Sequence, residues 1–102
     1  MKRGNFLYAL NHLPCLVVRD EKVVDVSHSF LEMTGYSQED FIYKDVSEVL
    51  YQLFGESFSD EFINSELKGE KCKIYTKSLQ RKDTYVLFHK NNTGNESIFI
   101  FL

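Results

Sequence analysis

The 102-residue chain has no tryptophan, one proline, five glycines and two cysteines. So little proline and glycine leaves no linker or low-complexity tract, and no internal repeat is present. Cys15 and Cys72 stand far apart, with no C-x-x-C and no neighbouring histidine, so no zinc site is expected. They read as two small buried thiols in a reducing compartment. No apolar run approaches the roughly twenty residues of a membrane helix. Met1, Lys2 and Arg3 make a basic start, but Asn11, His12 and Pro14 break the apolar stretch after it, so no signal peptide is expected. Charge of one sign is also lacking. Twelve Lys and Arg against fifteen Asp and Glu give a net charge of −3, and the local basic excess from Lys68 to Arg81 is broken by Glu70. Without a concentrated basic stripe, nucleic acid is not an expected partner. Asn91-Asn92-Thr93 and Asn95-Glu96-Ser97 match a glycosylation pattern but read as turn residues. The expected location is the cytoplasm.

What is present is an apolar and aromatic payload: nine Phe, six Tyr and 43% hydrophobic residues, enough for one ordered domain around one core. Phe6, Leu7 and Leu10 mark a short amphipathic helix over residues 2–12, ending before Pro14. Cys15 to Val18 and Val23 to Val26 flank the polar turn Arg19-Asp20-Glu21-Lys22, a hairpin pattern. Ser27 is placed to cap a helix over residues 28–34, which Gly35 stops. Ser37 and Asp40 form a capping-box pattern for a short helix, and Asp45 and Glu48 open another bearing Val49, Leu50, Leu53 and Phe54. Ser59 to Leu67 predicts a further helix stopped by Gly69. Three strands follow: one through Cys72, Ile74 and Thr76, one through Tyr85 to Phe88 after a polar turn at Gln80 to Asp83, and Ile98 to Leu102. The last run is apolar on both faces, as for a strand in the middle of a sheet. The expected fold is α+β: a five-stranded antiparallel sheet with short helices packed on one face, in the order ββ-αααα-βββ. It forms a single domain over residues 1–102, with residues 1–13 as an N-terminal cap helix and 14–102 as the core.

Three segments resemble the Per-Arnt-Sim (PAS) family. Leu13-Pro14-Cys15-Leu16-Val17-Val18-Arg19-Asp20 is similar to its opening strand. The stretch from Val26 to Ile42, with Thr34-Gly35-Tyr36-Ser37 at its centre, resembles its signature, and Ile74 to Ser78 resembles the first strand of its C-terminal hairpin. The chain departs from the family at Ser27, where Asn is frequent, and at Tyr43, where Gly often precedes the Lys at Lys44.

The resemblance implies a sensory or interaction domain with a pocket between the helices and the inner sheet face. Val17, Phe30, Leu50, Phe54, Ile74, Val86 and Phe88 are its expected lining, with a plain packed core as the alternative for the same residues. Arg19 shares the parity of Val17 and is a candidate to bind a carboxylate at the pocket mouth, the alternative being a side chain that snorkels to solvent. Haem-binding members supply a histidine from the helix before the third strand. Ser59 to Leu67 has none, and His12, His28 and His89 lie elsewhere, so haem is not expected. The photoactive flavin branch implies a cysteine after the acidic helix and amides where Ile74 and Val86 stand. Both are missing, and flavin is not expected either. No cofactor is thus expected, while a small apolar ligand remains compatible with the lining. Family members pair through the leading helix and the outer sheet face, which implies a homodimer through Phe6, Leu7, Leu10, Tyr75, Tyr85 and Leu87. The alternative is that the helix covers its own sheet.

No G-x-S-x-G, H-E-x-x-H or phosphate loop occurs, so no catalysis is expected. Asp20 with Glu21, Glu39 with Asp40 and Asp60 with Glu61 sit at turns or helix starts, where acids complement the dipole. The expected function is a non-catalytic domain of a histidine kinase, cyclic-di-nucleotide regulator or transcription regulator. It would couple a small ligand or partner to an output domain in the same polypeptide; the end directly after the last strand suggests an excised domain, with a true terminus as the alternative. A purely structural homodimerisation module is the alternative.

Overall fold

A computed structural model describes residues 7–55, 67–90 and 95–102. Helix α1 (Leu7–His12) precedes β1 (Cys15–Arg19) and β2 (Lys22–Val26); α2 (His28–Thr34), a 3-10 turn (Gln38–Asp40) and α3 (Val46–Phe54) come next; β3 (Leu67–Tyr75), β4 (Arg81–Lys90) and β5 (Glu96–Phe101) complete the order. The five strands form one antiparallel sheet in the order β2-β1-β5-β4-β3. The last strand therefore lies in the middle, as its unbroken apolar run requires.

Local chemistry sets the element ends. The Ser27 hydroxyl accepts the Phe30 amide at 3.2 Å and the Cys15 amide at 2.8 Å, so one side chain caps α2 and ties it to β1. Gly35 closes α2 at φ 79°, donating its amide to Leu31. The Asp40 carboxylate accepts the Ser37 amide at 2.9 Å and an ion pair from Lys77, which holds its pKa below the ordinary value, the Ser37 bond being the main cause. Asp45 occupies the cap position of α3 but spends its carboxylate on Lys22 at 2.8 Å instead of on the helix.

Two faces result from strand alternation. On the inner face Leu16, Val18, Val23, Ile74, Val86, Phe88, Phe99 and Phe101 pack with Phe30, Phe41, Val49, Leu50 and Leu53 from the helices. Phe30 stands 4.6 Å from Phe101 and 5.7 Å from Phe41, centroid to centroid, and Phe88 stands 4.7 Å from Phe99. Each such side chain stabilises the fold by about 1.5–3 kcal/mol through burial. On the outer face Cys15, Val17 and Ile98 form a separate cluster beneath Leu10 and Leu13. Leu10 of α1 packs on this outer cluster, while α2 and α3 pack on the inner face.

Strand boundaries differ from the sequence reading on the C-terminal side. Strand β3 begins at Leu67, not Cys72, and Gly69 lies within it opposite Leu87. Gly69 leaves room for the Tyr85 ring, whose hydroxyl would stand 2.5 Å from a Cβ there, so this glycine serves a close approach and not a helix stop. The turn falls at residues 76–80, closed by the Thr76 amide on the Gln80 carbonyl at 2.8 Å, and Arg81 to Asp83 already belong to β4. The predicted helix from Ser59 lies outside the described residues except for Leu67.

Candidate functional site

Six of the expected lining residues, Phe30, Leu50, Phe54, Ile74, Val86 and Phe88, meet in the inner core. Five are at most 2% exposed and Phe54 is half-buried. They belong to one packed cluster with the aromatic pairs above. Val17 is not among them. Residues 15–18 are apolar at every position, so the pattern alone gives no phase. The Val18–Ser97 and Val17–Ile98 pairings turn Val18 inward and Val17 outward.

Arg19 follows Val17 to the outer face. Opposite Glu96 in the β1–β5 register, its Nε donates to the Glu96 carboxylate at 3.0 Å, and a second guanidinium nitrogen makes an ion pair with the same oxygen. Glu96 is buried, and the carboxylate bound by Arg19 belongs to the chain itself.

Open space lies at one end of the inner face. A groove of ≈ 610 Å³ has Val18, Phe88 and Phe99 as its floor; Val46 and Ser47 at the start of α3 form one wall, and Asp20, Glu21, Lys90, Asn95 and Ser97 form the rim. Of the expected lining only Phe88 reaches it. The rim is built by turns. Asp20 and Glu21, at φ 51° and 66°, form the two-residue β1–β2 turn. Asp20 is tied to the start of β5 by its amide on the Asn95 carbonyl at 3.4 Å and by Asn95 Nδ2 on its carboxylate at 3.3 Å. The α3 wall is latched to the same turn: the Val46 amide donates to the Glu21 carbonyl at 2.8 Å, the Val23 amide to Lys44 at 3.0 Å, and the Tyr43 amide to Val23 at 2.7 Å. This latch covers the free edge of β2. Sequence reasoning missed the rim because it read these polar residues only as turns. The signal was their clustering just after β1 and just before β5, ends that the antiparallel register brings together.

The outer face carries the other expected surface. Leu10 packs on Cys15, Val17 and Ile98, so part of the proposed pairing helix covers its own sheet. Phe6 and the Leu7 side chain lie outside the described residues. Leu87 is half-buried and Tyr85 is 40% exposed, with Leu102 beside them at 61%. Tyr75 does not join this patch: its ring lies against Gly55 at the end of α3, with the Arg81 guanidinium 5.4 Å above it.

The residues bear on cofactor chemistry as well. His12, His28 and His89 are all exposed, and His89 shares the outward parity of Leu87, so none offers an imidazole to the inner face. Ile74 and Val86 are buried carbon, and no amide side chain occupies an inner-face position of the five strands. Burial pushes both thiols up to about 11, offset at Cys15 by the Ser27 hydrogen bond, so neither is a thiolate at neutral pH. Among the described residues, therefore, neither an imidazole nor a side-chain amide faces the inner core. Among those residues no group of His, Cys, Asp and Glu could hold a metal, and no helix is long and apolar enough to cross a membrane.

No family model and no curated protein matches the chain. Solved structures do. A domain of the sensory box sensor histidine kinase/response regulator from Geobacter sulfurreducens is similar at TM-score 0.74 and 15% identity, over 97% of this chain and 91% of that one. The PAS domain of an HTR-like protein from Haloarcula marismortui gives 0.71 and 13%, over 98% and 96%. The Rhodobacter sphaeroides LOV protein gives 0.75 and 15%, over 100% and 68%. Together with the β2-β1-β5-β4-β3 sheet, this identifies the fold as PAS.

Proposed function

We propose that this PAS-fold chain is a non-catalytic sensory domain of a signal-transduction protein. A small molecule held in the groove between α3 and the sheet would bias the coupling to an output domain in the same polypeptide. A histidine kinase is the favoured setting, and a cyclic-di-nucleotide or transcription regulator a related one. The observation that carries this reading is the groove itself. It lies on the helix-covered side of a fold shared with a domain of a sensor histidine kinase, beside the packed core cluster. Its two walls, the β1–β2 turn and the start of α3, are latched to each other by backbone hydrogen bonds, so a ligand that bears on one wall biases the position of the other. Two unpaired thiols, Cys15 and Cys72, support a reducing, cytoplasmic setting.

Native mass spectrometry of the freshly purified protein, compared with its denatured mass, tests the reading. Extra mass lost on denaturation, and absent from a Ser97→Phe variant that fills the groove, is the expected result. Extra mass that survives in Ser97→Phe would place the ligand elsewhere. A second reading, a purely structural homodimerisation module, is favoured by exposed Tyr85 and Leu102 with half-buried Leu87 beside them. A ligand-free dimer that Tyr85→Lys dissociates in sedimentation would support that reading over the first.

A further inference from the structure

The groove carries charge of both signs on separate walls. Asp20 and Glu21 stand on the β1–β2 turn, and Lys90 stands at the end of β4 next to Ser97 in the β4–β5 register. Lys90, Ser97, Phe88 and Phe99 share one parity, so the ammonium and the hydroxyl continue the row of which the two rings are the floor. Neither the Lys90 ammonium nor the Glu21 carboxylate makes an ion pair among the described residues, although other exposed cations do: Lys22 with Asp45, Lys73 with Asp83 and Lys77 with Asp40. The hydroxyl of half-buried Ser97 makes no hydrogen bond among the described residues either.

These groups select by charge. Two carboxylates against one ammonium make the rim net negative, which repels a polyanion. A carboxylate ligand gains Lys90 but meets the two acids, while a lone amine leaves Lys90 and Ser97 unused. A molecule with both charges on a short apolar body satisfies each wall. Resting on the ligand-sensing reading above, we infer that the groove takes a small zwitterion of the aromatic amino-acid class. Its ammonium faces Asp20 and Glu21, its carboxylate faces Lys90 and Ser97, and its ring lies on Val18, Phe88 and Phe99.

Calorimetric titration with four probes tests the class: L-phenylalanine, phenethylamine without the carboxylate, 3-phenylpropionate without the ammonium, and uncharged toluene. L-phenylalanine is expected to bind roughly ten-fold more tightly than either singly charged analogue, the range for one charge-assisted hydrogen bond. Lys90→Gln should reduce it to the level of phenethylamine, and Asp20→Asn with Glu21→Gln to that of 3-phenylpropionate. All these positions except Ser97 are at the exposed rim, so the variants keep the core. Equal binding of the three charged probes, or a preference that survives in the variants, overturns the inference. Toluene binding without charge preference overturns it while leaving the sensory reading in place. If no probe binds but the purified protein still carries extra mass, the zwitterion class is wrong and sensing stands; with neither, both fall.

Discussion

Replacing Tyr43 by glycine should make this protein more stable. Tyr43 adopts φ 66° in the latch along β2, and its side chain is 73% exposed. Left-handed backbone costs a residue with a Cβ about 1–2 kcal/mol, because the Cβ crowds the following carbonyl. Glycine removes that cost but has more conformational freedom to lose on folding, about 0.5–1 kcal/mol. The largely exposed ring contributes little burial to set against the change. The Tyr43 amide bond to Val23 is backbone and survives. The balance is a gain of about 0.5–1 kcal/mol, or a rise in Tm of about 2–6 °C for a domain of this size. Tyr43→Ala is the control: it removes the ring and keeps the strain, so its Tm should stay within about 2 °C of the parent. Thermal unfolding of the three proteins at one pH and concentration decides. A glycine variant no more stable than the parent refutes the strain argument. An alanine variant that gains as much refutes it too, since the benefit would then come from removing the ring.

Three further outcomes are expected. Gly35→Ala and Gly55→Ala both place a Cβ at positive φ, but only at Gly55 would it stand 2.8 Å from the Tyr75 ring, against 3.9 Å to the nearest atom at Gly35. Chemical denaturation should therefore show about 1–2 kcal/mol lost at Gly35 and more at Gly55, with Tyr75→Ala reducing only the second loss in a double-mutant cycle. The Thr84 hydroxyl is buried without a hydrogen-bond partner among the described residues, so Thr84→Val should raise stability by about 1 kcal/mol; a fall would mean that the hydroxyl has a partner. For the thiols the sign follows from a folded pKa raised from 9.0 to about 11. Their contribution is present below pH 9 and is lost as pH rises towards 11. Cys15→Ala should flatten that alkaline loss, and an unchanged slope in pH-dependent unfolding would count against it.

Much of the fold was legible because its signals are local. Ser27, Gly35 and the Ser37–Asp40 pair act within one helical turn, and each sits where its chemistry requires. The doubly apolar run at Ile98 to Phe101 announced a central strand. Legibility failed where the deciding partner is remote. The phase of residues 15–18 depends on β5, far along the chain, and on the bulge that sets Val23 and Val24 against Val18. Residues 67–71 are polar apart from Leu67 and Gly69, so they carry no alternation, and their strand exists because β4 is there to pair with. The groove was missed for a related reason. Its charged rim comes from two turns that meet only after the sheet forms, while attention to apolar residues leads to the core they fill.

The position of β5 has a consequence for how the chain acquires its structure. Hairpins β1–β2 and β3–β4 close over short loops, but each is only an edge pair until β5 enters between β1 and β4. Joining them means bringing residues 15–19 against residues 96–100, a long closure whose entropy must be met before its contacts form. Synthesis delivers β5 after every other strand, so a nascent chain carries two unpaired inner edges until the ribosome has nearly finished with this domain. Folding is therefore expected as a late event that unites two preformed halves, and lesions in β5 should slow it far more than equal lesions in β2 or β3.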